Sequence, residues 1–147
     1  MAAGLSLPTE NIDLFRAKLN RQQTLTEKEL TPVTWIDVPM PVSYASKKLV
    51  EQLRVLEPFG KGNEKPVFAD RKLTVRSANM IGKNKNVLKM QLEDTHGHVV
   101  DAIQFKVEEE DMPLRGKEIS IVYYPDINEF RGNQTLQFIV QEWCYTT

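Results

Sequence analysis

From Val67 onward the apolar residues stop recurring every three or four positions and begin to alternate, and that switch constrains the fold more than any other feature. Five β-rich runs follow, at 67–82, 87–94, 98–107, 118–124 and 135–145, separated by turn-like clusters. Leu88, Met90 and Leu92 alternate with Lys89, Gln91 and Glu93, and Leu136, Phe138 and Val140 with Gln137, Ile139 and Gln141. Each strand therefore has one face to bury, and a sheet built from them must close on itself or be covered. Five strands with a short acidic-then-apolar segment, 108–114, between the third and fourth match the order of an oligonucleotide/oligosaccharide-binding (OB) barrel. An SH3-like barrel is the competing arrangement.

Upstream the pattern is helical. Ile12, Phe15 and Leu19 recur at three- and four-residue spacing over 8–23, after start signals at Pro8 and Thr9, so a short amphipathic helix is expected. A helix of this length is marginal alone in water, and its apolar face calls for a partner upstream. Residues 24–42 carry Pro32, Pro39 and Pro41 among alternating apolar positions and read as an extended, strand-like connector. Ser43 is placed to cap a helix over 43–57, with Leu49, Val50, Leu53 and Leu56 toward one side and Pro58 as its stop. A loop carrying Gly60, Gly62, Asn63 and Pro66 joins the two halves. The expected fold is mainly β with helices at the N-terminal side (α+β): a five-stranded OB-like barrel preceded by a helical connector.

Composition narrows the classes of function. No stretch approaches the ~18 consecutive apolar residues of a membrane span, and the first residues lack a signal peptide's basic start and apolar run, so a cytoplasmic protein is expected. Cys144, the only cysteine, cannot form an intramolecular disulfide or a thiolate zinc site. The formal charge of −1, with nine Lys/Arg against eight Asp/Glu over 1–66 and ten against twelve over 67–147, provides no bulk attraction to nucleic acid. Any such binding must come from local arrangement.

Catalytic signatures are missing. There is no GxSxG elbow, no phosphate-binding GxxxxGK[ST] loop, and no cluster of carboxylates and histidines suited to metal-assisted phosphodiester hydrolysis. His96 and His98 flank Gly97 in a hairpin turn without a third ligand. The run Glu108–Asp111 is read as a solvated end of a strand or short helix. No catalytic residue, metal site or cofactor is expected within the chain.

Single-strand binding combines cations along a phosphate path with aromatic faces for bases, and two loops supply that combination. Gly82–Asn86 carries Lys83 and Lys85, continued by Lys89 on the outward phase of the next strand. The second loop, 125–134, follows Tyr123 and Tyr124 and carries Asn128 and Phe130 beside Arg131. In an OB barrel such loops flank the binding face. Lys83, Lys85, Lys89, Tyr124, Asn128, Phe130 and Arg131 are the candidate nucleic-acid-binding residues. The alternative is that the lysines only solubilise a hairpin, Tyr123 fills the barrel and Phe130 packs under its own loop. Phe105, Trp35 and Trp143 are read as packing residues.

Three strings, MAAGLSL at 1–7, LEPFG followed by GN over 56–63, and VYYPDINEFRGNQTLQ at 122–137, resemble the RecJ family of single-strand-specific DNA exonucleases. The first is similar to the end of the glycine-histidine motif of the family's DHHA1 domain, so the chain is expected to begin inside that motif. The resemblance implies the tail of DHHA1 at 1–23, a connector strand and helix at 24–58, and the OB-type domain at 59–147. It also implies a parent enzyme that degrades single-stranded DNA from the 5′ end in repair and recombination. Two divalent metals, manganese or magnesium, would be held by a DHH domain whose motifs are not in this sequence, leaving this piece inactive alone. Its expected partners are single-stranded DNA and the DHH and DHHA1 domains in cis. A scaffold that packs on those catalytic domains through the apolar face of the 43–57 helix is the rival reading.

Overall fold

The computed structural model describes residues 4–146. Met1–Ala3, the start of the first family-like string, and Thr147 lie outside them. The chain forms two compact units that part between Thr34 and Trp35.

In the first unit a 3-10 turn, Thr9–Asn11, leads into α1, Ile12–Gln22, as the spacing of Ile12, Phe15 and Leu19 predicts. None of the residues of α1 is buried. The connector is not extended throughout: Glu27–Leu30 forms a one-turn helix, α2. Its cause is a capping box. The Thr26 hydroxyl accepts from the Glu29 N–H, and the Glu29 carboxylate accepts from the Thr26 N–H at 2.9 Å. The Thr-x-x-Glu spacing was the available signal for it.

The second unit begins with β1, Val38–Pro39, which pairs parallel to Phe68 and Ala69. The helix expected over 43–57 is shorter and capped differently. Val42–Tyr44 is a 3-10 turn, and Ser46 rather than Ser43 caps α3, Lys47–Leu53, by accepting from the Leu49 N–H at 3.2 Å. The reason is tertiary. Val42 is buried in the main core and its N–H donates to Asp70 Oδ2 at 2.8 Å, so the chain is anchored there and must extend again before a helix can start. A 3-10 turn, Arg54–Leu56, finishes α3 before Pro58.

Five strands then build the ring: β2 Phe68–Ile81, β3 Val87–Glu93, β4 Val99–Phe105, β5 Glu118–Phe130 and β6 Asn133–Tyr145. Antiparallel pairs join β2 to β3, β3 to β4 and β5 to β6; a parallel pair joins β4 to β6, and antiparallel β2–β5 closes the circuit. This is an OB-like ring of five strands within a mainly β chain with N-terminal helices. Leu88, Met90 and Leu92 are fully buried, as their alternation predicts, and pack with Leu73, Val75, Ile119, Ile121, Tyr123 and Phe138. Between β4 and β5 only a 3-10 turn, Glu109–Asp111, forms, flanked by buried Val107 and half-buried Met112.

Three expectations need correction. The fourth strand does not end at Tyr124, because 125–134 is not a loop: β5 and β6 continue their pairing from Pro125↔Phe138 to Phe130↔Asn133, leaving a two-residue turn, Arg131–Gly132. Pairing of β5 with β2 ends at Tyr123, so Pro125 sits where the strand has only one neighbour and a missing N–H is tolerated. Phe105 is not core. Ala102 is fully buried and Phe105 falls on the opposite phase, 54% exposed. Trp35 is 85% exposed, whereas Trp143 does pack against the core, edge-on to Tyr145.

Candidate nucleic-acid interface

Strand register assembles the outward side of the ring. Asn79, Lys89 and Ile103 form one row across β2, β3 and β4, and Ile139 on β6 continues it. The neighbouring row is apolar: Ile81, Val87 and Phe105. The turn 82–86 begins where that row ends. Gly82 at φ 86° and Lys85 at φ 47° supply its left-handed conformations, and Lys85 N–H closes it on the Gly82 carbonyl at 3.2 Å. Asn86 in turn accepts from Val107 N–H at 3.1 Å, which ties the turn to the end of β4. Lys83, Lys85, Lys89 and Lys106 are all exposed around this apolar row. Arg76 is committed differently, its Nε 3.0 Å from the Glu93 carboxylate.

The β5–β6 hairpin projects as an arm. Asp126, Asn128 and Phe130 with Asn133, Thr135 and Gln137 share its outward face, continuous in phase with Ile139. Phe130 is 64% exposed, and the Arg131 guanidinium lies 5.1 Å from its ring centroid. Arg131 at φ 51° and Gly132 at φ 78° give both turn residues positive φ, the geometry that matches the twist of a two-residue hairpin. Because β4 and β6 run parallel, the arm's tip stands toward the opposite end of the strands from 82–86. The two basic elements flank the face and do not adjoin.

Of the candidate residues, Lys83 and Lys85 share one turn, Lys89 stands on the face, and Asn128, Phe130 and Arg131 stand on the arm. Tyr124 differs. It is 3% exposed, edge-on to Phe59 at 6.4 Å and covered by Lys65, whose Nζ lies 4.0 Å from the ring centroid. Its ring is already occupied by its own chain, and burial, with the charges of Asp126 and Glu57, raises its hydroxyl pKa. Phe105, read from sequence as packing rather than as a stacking platform, and Lys106, not singled out there, stand exposed beside these residues; counting the alternation outward from Ala102 was the signal for Phe105.

The histidine turn is organised as a turn. Asp94 accepts from His96 N–H at 2.8 Å, His98 N–H at 2.9 Å and the His98 ring at 3.1 Å. Burial pushes the Asp94 carboxyl up, but the His98 and His96 N–H groups and the His98 ring together outweigh it and hold its pKa below the ordinary value. Among the described residues no group of three or more His, Cys, Asp or Glu could hold a metal ion. No helix among them is long and apolar enough to cross a membrane. A groove of about 460 Å³ lies along β2, β5 and β6 and contains none of the candidate residues.

Comparison with known proteins finds relatives over nearly the whole chain. The single-stranded-DNA-specific exonuclease RecJ of Haemophilus influenzae is 35% identical over 144 residues, 95% of this chain and 25% of that protein. RecJ of Bacillus subtilis is 30% identical over 97% of this chain and 18% of its own length. The crystal structure of RecJ in complex with Mn2+ from Thermus thermophilus superimposes with a TM-score of 0.66 over 97% of this chain and 20% of that one, at 16% identity. Its Mg2+ complex gives 0.63 at 17% identity, and both show likeness of fold. The chain therefore spans a quarter or less of the length of these relatives. The RecJ OB domain matches residues 36–142, beginning just past Thr34 where the second unit starts. With most of that unit covered by the match, the chain belongs to the RecJ OB domain family.

Proposed function

We propose that the outward face of the ring binds single-stranded DNA on behalf of a RecJ-type exonuclease that degrades such strands from the 5′ end in repair and recombination. The observation that carries the reading is the outward row of exposed Ile81 and Phe105 with half-buried Val87 between them, with Lys83 and Lys85 just beyond it and Lys89 one row in. An apolar platform with an aromatic ring accepts bases of any sequence, and the lysines neutralise phosphates. On this reading the chain grips the strand, and hydrolysis belongs to a DHH domain whose motifs are not in this sequence, with manganese or magnesium as the metal chemistry there. Residues 1–23 would be the tail of DHHA1, and the enzyme a cytoplasmic one.

Fluorescence anisotropy of the 147-residue chain with labelled oligo(dT) and duplex DNA across a salt series tests this. Salt-weakened binding that prefers the single strand is the expected result; no binding at low salt would overturn it. Docking onto the catalytic domains is the second reading. The apolar side of α3 no longer favours it, since Val50 and Leu53 are spent on this chain's own packing, but exposed Trp35 does. Association of the chain with a separately produced catalytic core, without DNA binding, would establish docking instead.

A further inference from the structure

We propose that the tip of the β5–β6 arm meets the boundary between single strand and duplex, with the Phe130 ring stacking on the last base pair of the strand held by the ring face. The inference rests on the single-strand reading above and adds to it a partner structure and a residue.

Three observations carry it. The arm is a braced element rather than a loose loop. Its inner side presents half-buried Ile127 and Leu136, Gln134 donates to the Glu129 carboxylate at 3.1 Å, and Lys47 at the start of α3 donates to the Gln134 carbonyl. A rigid strand pair can hold a ring against a base pair, which a mobile loop cannot.

Phe130 also has no packing role that explains it. It is 64% exposed on the last pair before the turn, and its one described ring neighbour is Arg131. Arg131 holds a left-handed φ of 51° that Asn or Gly would adopt at less cost, so the turn keeps a cation at its tip against local preference. An aromatic face beside a cation is suited to a terminal base pair and its phosphate.

Finally, register places Phe130 on the same outward side as Ile139, Ile103 and Lys89. From Ile139 to Asn133 the strand covers roughly 20 Å at about 3.4 Å per residue. At the ~3.4 Å phosphate spacing of one stacked strand, that is about six nucleotides. A tail of about six or more nucleotides can thus reach the Lys89 row while its duplex abuts the tip.

The test uses the full chain with a DNA hairpin carrying a single-stranded oligo(dT) tail and 2-aminopurine at the last paired position. Binding should change the 2-aminopurine emission when the tail has about six or more nucleotides and leave it unchanged with a two-nucleotide tail. Phe130→Ala should abolish the emission change and weaken binding to the tailed hairpin more than binding to oligo(dT) alone, and Phe130→Trp should restore both. Persistence of the change in Phe130→Ala, or an equal loss of affinity for tail and junction, would overturn the junction role. Absence of binding to oligo(dT) by the unsubstituted chain would overturn the single-strand reading itself, and the junction role with it.

Discussion

The Tyr123 hydroxyl donates to the Met40 carbonyl at 2.8 Å, so a ring strand and the segment that leads into the ring share one partly buried hydrogen bond. Tyr123 is fully buried between Phe68 and Phe138, at ring separations of 6.0 and 5.2 Å. Tyr123→Phe keeps those contacts and leaves the Met40 acceptor unpaired, a cost of about 1–3 kcal/mol in urea denaturation. Burial, and next the Asp70 charge, raise the hydroxyl far above the ordinary tyrosine value of 10.0. A raised folded pKa gives stability that is complete below the unfolded value and lost as pH rises beyond it. The unsubstituted chain should therefore lose stability above pH 10.0 more steeply than Tyr123→Phe.

Phe105→Ala should separate binding from folding. Loss of one stacked base costs about 1–3 kcal/mol of affinity for single strands, read by anisotropy. The same change on a half-exposed strand position should cost less than about 1 kcal/mol of stability. Leu92→Ala, in the core, should cost about 2–5 kcal/mol in denaturant.

Charge reversal at Lys83, Lys85 and Arg131 should lower affinity for single strands without regard to sequence. With about 0.7 counterions released per phosphate contact on a single strand, losing three contacts should flatten the slope of log affinity against log salt by about 2. An unchanged slope would move the binding surface away from these residues.

Arg131→Asn should trade function for stability. Asn tolerates the left-handed conformation that Arg131 holds, and relief of that strain should raise stability by roughly 0.5–1 kcal/mol. Affinity for DNA should fall with the lost cation. Thermal melts and anisotropy on one preparation read both effects.

Asp94 makes the β3–β4 turn acid-sensitive. Its folded pKa lies below the ordinary 3.8, so its contribution is present above that value and is lost as pH falls through the folded one. Asp94→Ala should be less stable than the unsubstituted chain at neutral pH, and the gap should close in strong acid.

Much of the fold is legible in the sequence. Leu88, Met90 and Leu92 announce a buried face by period alone, and Lys83, Lys85 and Lys89 stand at a turn and on an outward phase that a period-two strand dictates. The 125–134 segment was not legible, because Pro125, Asp126, Asn128 and Gly132 are turn formers locally and become strand or tight turn only when β6 pairs with them.

Sequence by itself determined the class of fold and the five strands with their buried faces, because these depend on local period and residue chemistry. Tertiary structure alone decided that Val42 is anchored in the core, that Tyr124 is covered by Lys65 and Phe59, and that 125–134 is an arm. Those outcomes depend on which strand lies beside which, and parallel and antiparallel pairing across dozens of residues leaves no local trace in the chain.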